Sequence, residues 1–288
     1  MTDPDQLPEE PADFGDLWAP PFTSALLSVE PVENHLGLLD CWDVSFAGFG
    51  GDPVRAWYTR PAGHPGRLPA VVEYAGYGRG RGLPHERLTW PTAGYAHLLM
   101  DNRVGRATDG ILDPHGYYYH RLITDAVHAV SAVRALPGVD PARVAVAGNS
   151  QGGGLALAVA GLVHDLAAVL VSAPFLCHIR RAVDLTTLAP YGEISTYLAT
   201  HREAGPAVWN TLNYFDGVHF ARRATAPAHF GIGLRDPVCP PDTGLAAYRR
   251  YAADRTLETY PFNGHEHGEG FHSRAQLRWL APILRLHP

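Results

Sequence analysis

The chain alternates between short apolar runs and longer stretches with helical spacing. Pro69–Tyr74 and Tyr95–Met100 are compact apolar runs that read as buried strands. Tyr117 to Leu136 carries apolar positions at Leu122, Ala126, Val130 and Val133, the spacing of one helix face, and Pro137-Gly138 ends it. Leu155 to Ala173 is the longest apolar stretch. His164-Asp165 breaks it, so it reads as a buried helix, a turn and a core strand rather than a membrane span. Ala228–Leu234 and Leu257–Phe262 are further short strands, while Leu38–Phe49 and Val54–Tyr58 form a pair turning at Gly50-Gly51-Asp52. Strands alternating with helices predict an α/β fold with a mostly parallel central sheet and helices on both faces. Residues 1–30 read as an irregular, partly helical lead-in. Residues 174–225, rich in aromatics and mixed helical patterns, read as a small cap. The whole of 1–288 is expected to be one domain.

Composition narrows the possibilities. Hydrophobic residues make up 46% and charged residues 18%, which is globular usage. The formal net charge of −6 and the lack of a basic stripe argue against nucleic acid as a partner. Arg180-Arg181 and Arg222-Arg223 read as solvated positions. Cys41, Cys177 and Cys239 are far apart and odd in number, without zinc spacing, which fits a reduced cytoplasmic setting. The acidic, proline-rich start has no basic or apolar region of the kind that targets a chain to a membrane.

The candidate chemistry centres on Gly148-Asn-Ser-Gln-Gly152, where an apolar strand runs into an Ala/Leu-rich helix. This is the G-x-S-x-G pattern, in which a serine sits on a sharp strand-to-helix turn. Glycines at 148 and 152 leave room for that turn. The turn lifts the Ser150 hydroxyl above the sheet and sets the Gln151 N–H beside it, where an oxyanion would form. Asp236 follows one strand and His265 another, so the chain order is Ser, Asp, His. A hydroxyl needs a base: His265 would move the proton and Asp236 would orient it. One histidine among 16 carries little weight alone, and Asp before Pro commonly caps a turn; the joint placement carries the argument. His265-Glu266-His267 has its histidines two apart in a glycine-rich loop, not the helical spacing of a metalloprotease, so no metal and no other cofactor is expected.

Several segments together resemble the acetylxylan esterase and cephalosporin-C deacetylase family, carbohydrate esterase family 7, of the α/β-hydrolase superfamily. They include Asp13-Phe14…Leu17-Trp18, Tyr74-Ala-Gly-Tyr-Gly-Arg-Gly-Arg-Gly-Leu-Pro-His85, Trp90-Pro91, Gly110-Ile-Leu-Asp-Pro114, Gly148-Asn-Ser-Gln-Gly-Gly-Gly154, Tyr214-Phe-Asp-Gly217, Gly233-Leu-Arg-Asp-Pro-Val-Cys-Pro-Pro241 and Asn263-Gly-His-Glu266. The resemblance implies the triad Ser150, Asp236 and His265, and an oxyanion hole from the backbone amides of Tyr77 and Gln151. It points to an acyl pocket walled by Trp90, Pro174 and Phe175. It implies a serine esterase that removes acetyl groups from acetylated sugars and similar small esters through an acetyl-enzyme. The fold alone leaves open a peptidase or thioesterase, or a non-catalytic binding protein on the same scaffold.

Two departures stand out. The family's Arg-Gly-Gln motif becomes Arg103-Val104-Gly105, and its longer loop before Gly110 shrinks to Ala107-Thr108-Asp109. That loop helps build the family's ring-shaped oligomer. A smaller homo-oligomer, a dimer or trimer, is therefore expected.

Overall fold

The structure is a computed structural model that describes residues 6–19, 22–33 and 35–285. Residues 1–5, 20 and 21 of the expected lead-in lie outside the described residues. In chain order the elements are α1 (Phe14–Leu17), β1 (Leu26–Pro31), β2 (Leu39–Ala47), β3 (Pro53–Pro61), β4 (Leu68–Tyr74), α2 (Thr89–Thr92), β5 (Ala96–Met100), α3 (Tyr118–Ala135), β6 (Val139–Asn149), α4 (Gln151–Leu162) and β7 (Ala168–Ser172). They continue with α5 (Ile179–Leu185), α6 (Tyr191–Thr200), α7 (Gly205–Asn213), α8 (Gly217–Ala221), β8 (Ala228–Gly233), α9 (Pro241–Arg250), β9 (Arg255–Tyr260) and α10 (Glu269–Leu284).

Among the described residues the nine strands join one sheet in the order β1-β2-β3-β5-β4-β6-β7-β8-β9. From β5 to β9 every pairing is parallel. The β1–β2, β2–β3 and β3–β5 pairings are antiparallel. This is the mostly parallel α/β architecture expected from the sequence.

The two kinds of pairing follow from the side chains. β5, β7 and β8 are buried at every position, because helices cover both faces of the parallel part. β2 and β3 alternate between buried and more open residues, as strands with one solvated face do. The lead-in departs from expectation. It holds the short helix α1, but it also runs into β1, an edge strand with no fully buried residue. So little apolar burial leaves almost no periodic signal, which is why the strand is missed from sequence.

α4 is buried from Gln151 through Gly161, a helix apolar all round and enclosed on every side. It runs straight out of β6 and fixes the elbow in the middle of the sheet. Residues 174–225 form the four helices α5–α8 between β7 and β8. They are tied down at Asp216, which is 3% exposed. Its carboxylate accepts from the backbone amides of His178 (2.8 Å), Ile179 (2.7 Å) and Val218 (3.1 Å), so one side chain serves the starts of both α5 and α8. Burial pushes its pKa up to about 6 against the pull of those three amides. The lead-in braces the same region. Phe14 and Trp18 pack edge-on against Phe220, and Arg223 pairs with Glu10 at 2.7 Å. Arg223 is thus a pairing residue rather than a solvated one.

Candidate active site

The candidate residues reach one edge of the sheet because parallel strands end together. Ser150 follows β6, Asp236 lies just past β8, and His265 just past β9. Ser150 takes φ 59° and ψ −121°, a conformation that L-residues rarely adopt. A Cβ on Gly152 would fall on the carbonyl of Tyr74, and one on Gly148 would fall on the backbone of Gly152. Only glycine lets β4, β6 and α4 approach this closely. The turn is pinned on both sides: Ser150 N–H donates to Ser172 O, and Phe175 N–H donates to Ser150 O, each at 3.0 Å.

On the other side, His265 Nδ1 donates to Asp236 Oδ2 at 2.7 Å. The other Asp236 oxygen accepts from the amides of Val238 (2.8 Å) and Cys239 (2.9 Å), which fixes the carboxylate. The Asp236 side chain is almost fully buried and the His265 ring is 28% exposed. Cys239, Asp236 and His265 therefore form a continuous chain of hydrogen bonds. Among the described residues Ser150 Oγ and His265 make no hydrogen bond. A serine hydroxyl moves between staggered wells, and such bonds often close only around substrate.

The two candidate oxyanion amides are free to accept a ligand: among the described residues neither Tyr77 N–H nor Gln151 N–H donates a hydrogen bond. The Gln151 side chain is turned away, its Oε1 accepting from Tyr119 OH at 2.8 Å. The Tyr77 loop follows β4, which lies beside β6 with Tyr74 opposite Gly148, so it stands next to the elbow. Two side chains not singled out from the sequence hold this loop. Asn102 Nδ2 faces the carbonyls of Ala75, Gly76 and Arg79 at 3.1, 3.1 and 2.9 Å. Glu193 of α6 accepts from Tyr77 OH, 2.9 Å from each carboxylate oxygen. Burial first, and then Glu193, push the Tyr77 phenol up to about 12. Asn102 follows the strand-end Asp101, which is a weak sequence signal. Nothing local marks Glu193.

Arg81 anchors the far end of the loop. Its guanidinium lies 3.7 Å over Trp57 and bonds Asp43 at 2.8 Å. Arg103 reaches Asp125 and Asp52, joining the Phe49–Gly51 turn to α3. Val104, by contrast, is fully exposed.

The three expected pocket residues are not equivalent. Pro174 and Phe175 follow β7 beside the elbow. The Phe175 ring is wholly buried between Tyr119 and Tyr191, with centroids at 5.7 and 4.5 Å. Trp90 sits on α2 in a separate apolar cluster with Tyr95 and Leu280. It lines a cavity of about 250 Å³ with Asn149, Ser172, His267 and Gln276, and that lining contains none of Ser150, Asp236 and His265.

A serine on a strained strand-to-helix turn, with an aspartate–histidine pair at the ends of two further strands, is the arrangement that an α/β-hydrolase fold provides. The chain belongs to the acetyl xylan esterase (AXE1) family, whose model matches residues 6–283, and this is a family of carboxylic ester hydrolases. Its structure is similar to acetyl xylan esterase from Paenibacillus sp. R4, at 36% identity and a TM-score of 0.87, covering 97% of this chain and 98% of that one. It is also similar to acetyl xylan esterase 1 from Thermoanaerobacterium sp. JW/SL YS485, at 27% identity and a TM-score of 0.83, covering 95% and 94%. Acetyl esterase Axe7A from Xylanibacter ruminicola is 32% identical over 166 residues, which is 58% of this chain and 37% of that protein's own length. Among the described residues no helix is long and apolar enough to cross a membrane.

Proposed function

We propose that this protein is a serine esterase that removes acetyl groups from acetylated sugars, xylo-oligosaccharides among them, and from related small acetyl esters of the cephalosporin-C type. The observation that carries the reading is the Asp236–His265 pair at 2.7 Å beside a strained Ser150, in a chain the family model spans almost end to end.

Ser150 Oγ attacks the acetyl carbonyl while His265 Nε2 takes its proton. Asp236 holds the histidine tautomer and stabilises the imidazolium. The oxyanion sits between the Tyr77 and Gln151 amides. The tetrahedral intermediate collapses, His265 returns the proton to the leaving sugar oxygen, and an acetyl-serine remains. His265 then deprotonates a water that attacks the acetyl group, and acetate leaves. No cofactor enters this sequence.

Residues 174–225 act as the cap of a single catalytic domain, with Pro174 and Phe175 limiting the acyl group and Trp90 set further out. The buried thiols of Cys177 and Cys239 suit a cytoplasmic enzyme. With the loop between Arg106 and Gly110 so short, the enzyme assembles as a dimer or trimer. A light-scattering mass of six subunits would refute that assembly.

The test of the reaction is a rate series over nitrophenyl acetate, butyrate and octanoate together with acetylated xylo-oligosaccharides. Acetyl esters are expected to react about tenfold or more faster than butyryl esters, because two further methylenes meet a closed acyl site. Rates that hold steady or rise with chain length would overturn the acetyl assignment.

A further inference from the structure

The Tyr77 loop is held at two points that have nothing to do with the triad. From below, the Asn102 amide group faces three carbonyls, those of Ala75, Gly76 and Arg79, at 2.9 to 3.1 Å. The Gly76 carbonyl belongs to the same peptide group as the Tyr77 N–H, so this side chain holds the plane that aims that amide, while Ala75 and Arg79 tie down the loop on either side. From above, Glu193 in the first turn of α6 accepts from Tyr77 OH at 2.9 Å. The Ala107 amide donates to the same phenol oxygen at 3.1 Å and lies 3.3 Å from Glu193 Oε2. Three segments far apart in the chain meet there: the loop after β4, the short 107–109 connection, and the cap.

A two-point mount of this kind has a specific chemical value. An oxyanion donor works only where its N–H is aimed at the position the charge will occupy, and it must be aimed before the reaction begins. A glycine-flanked loop has no stiffness of its own, since Gly76 and Gly78 surround Tyr77 and Gly78 takes φ 65°. Tyr77 is a large aromatic residue whose proposed contribution is only its backbone amide. The phenol then serves as the lever by which the cap holds that amide.

We propose that Asn102 and Glu193 are positioning residues that together aim the Tyr77 amide at the developing oxyanion, so that cap helix α6 governs the rate of acyl transfer. This rests on the reading of Ser150 as the nucleophile and of Tyr77 N–H as an oxyanion donor.

The experiment compares Tyr77→Phe, Glu193→Gln, Glu193→Ala and Asn102→Ala with the parent on nitrophenyl acetate. kcat and KM are measured separately, and a thermal melt is recorded for each variant. Tyr77→Phe keeps the backbone amide and the ring but removes the hydroxyl, so it cuts the lever alone. Losing an oxyanion donor outright costs about 10²–10³ in kcat, so misaiming one is expected to cost less: about 5- to 50-fold in kcat for Tyr77→Phe, Glu193→Ala and Asn102→Ala, with KM within about twofold. Glu193→Gln keeps an acceptor for the phenol and is expected to recover most of the loss. Tyr77→Phe combined with Glu193→Ala is expected to cost no more than either alone, because both cut one link. Folded variants with parent-like kcat would overturn the proposal, as would losses confined to KM or a Glu193→Gln variant as slow as Glu193→Ala. Ser150→Ala in the same assay separates the two readings. If Ser150→Ala stays active, the site itself is wrong. If Ser150→Ala is inactive while Tyr77→Phe runs at full rate, only the clamp is wrong.

Discussion

The elbow that carries Ser150 and the loop that carries His265 end at the same sheet edge but are built on opposite principles. The elbow is enclosed. Ser150 is 7% exposed, and backbone from β4, β7 and α4 surrounds it so closely that two glycines are obligatory. The histidine loop is open. His265 is partly exposed, the neighbouring Glu266 is exposed, and His267, Gly268 and Glu269 all take positive φ. Its order comes from a few side-chain bonds: Asp236 to His265, and Glu266 to Asn263 and the Gly264 amide. A nucleophile has to be aimed by rigid backbone, whereas a base that picks up and delivers protons benefits from a less confined ring. The difference teaches that one edge of a sheet can combine fixed and adjustable parts.

The sharpest way to break this contrast is at the serine. Ser150→Ala is expected to lower ester hydrolysis by about 10⁴- to 10⁶-fold while leaving the melting temperature nearly unchanged. Nitrophenyl acetate turnover and a thermal melt on one preparation check both. A folded variant that keeps more than a few per cent of the rate would remove Ser150 from the site.

On the open side, Asp236→Asn should reduce kcat by about 10³- to 10⁴-fold, by releasing the tautomer and orientation of His265. A steady-state pH profile of the variant tests this.

The next effect is structural and belongs to the enclosed side. Gly152→Ala drives a methyl group into the Tyr74 carbonyl and should destabilise the fold by about 1–3 kcal/mol. Chemical denaturation would measure it. A change at the exposed Gly270, where a Cβ would meet nothing within 4 Å, should have far less effect.

The smallest effect is acid sensitivity, and it lies beneath the open side. His272 on α10 is buried next to His267 and bonds Ser172 Oγ at 2.9 Å and Tyr260 OH at 3.1 Å. Burial, with His267 and His229 alongside, pushes its pKa down to about 3. Between pH 6.5 and about 3 the unfolded chain takes up a proton that folded His272 refuses, so stability falls as the pH falls through that window. His272→Gln should therefore lose about 2–4 °C less in melting temperature than the parent between pH 7 and 5. His219, pushed down to about 4 chiefly by burial, would leave part of the slope in place. Parallel melting curves for parent and variant would show that His272 does not set the acid response.

The same contrast explains what could be read in the chain before its structure was known. The elbow is a local object. Its glycines, serine and flanking apolar runs lie within a dozen positions, so the motif shows in the sequence. Asp236 and His265 are recognisable only as polar residues at the ends of apolar runs, and it takes the fold to bring them together. Glu193 was out of reach, because its partner Tyr77 lies 116 positions away and a glutamate in a first helical turn is ordinary. Asn102 carries only the weak mark of its place after a strand end, since its value depends on three carbonyls from another loop. β1 escaped because an edge strand with hardly any buried side chain leaves no periodicity to find.

Asp216 closes the cap onto the core with one carboxylate shared by the starts of α5 and α8. A lid that swung freely would have to break all three of those bonds at once and leave a buried charge without donors. In hydrogen exchange, the amides of His178, Ile179 and Val218 should therefore be released only by openings close to global unfolding, in step with the central strands. The consequence is a fixed roof. Residues 174–225 then share the stability of the core they cover instead of opening as a separate unit.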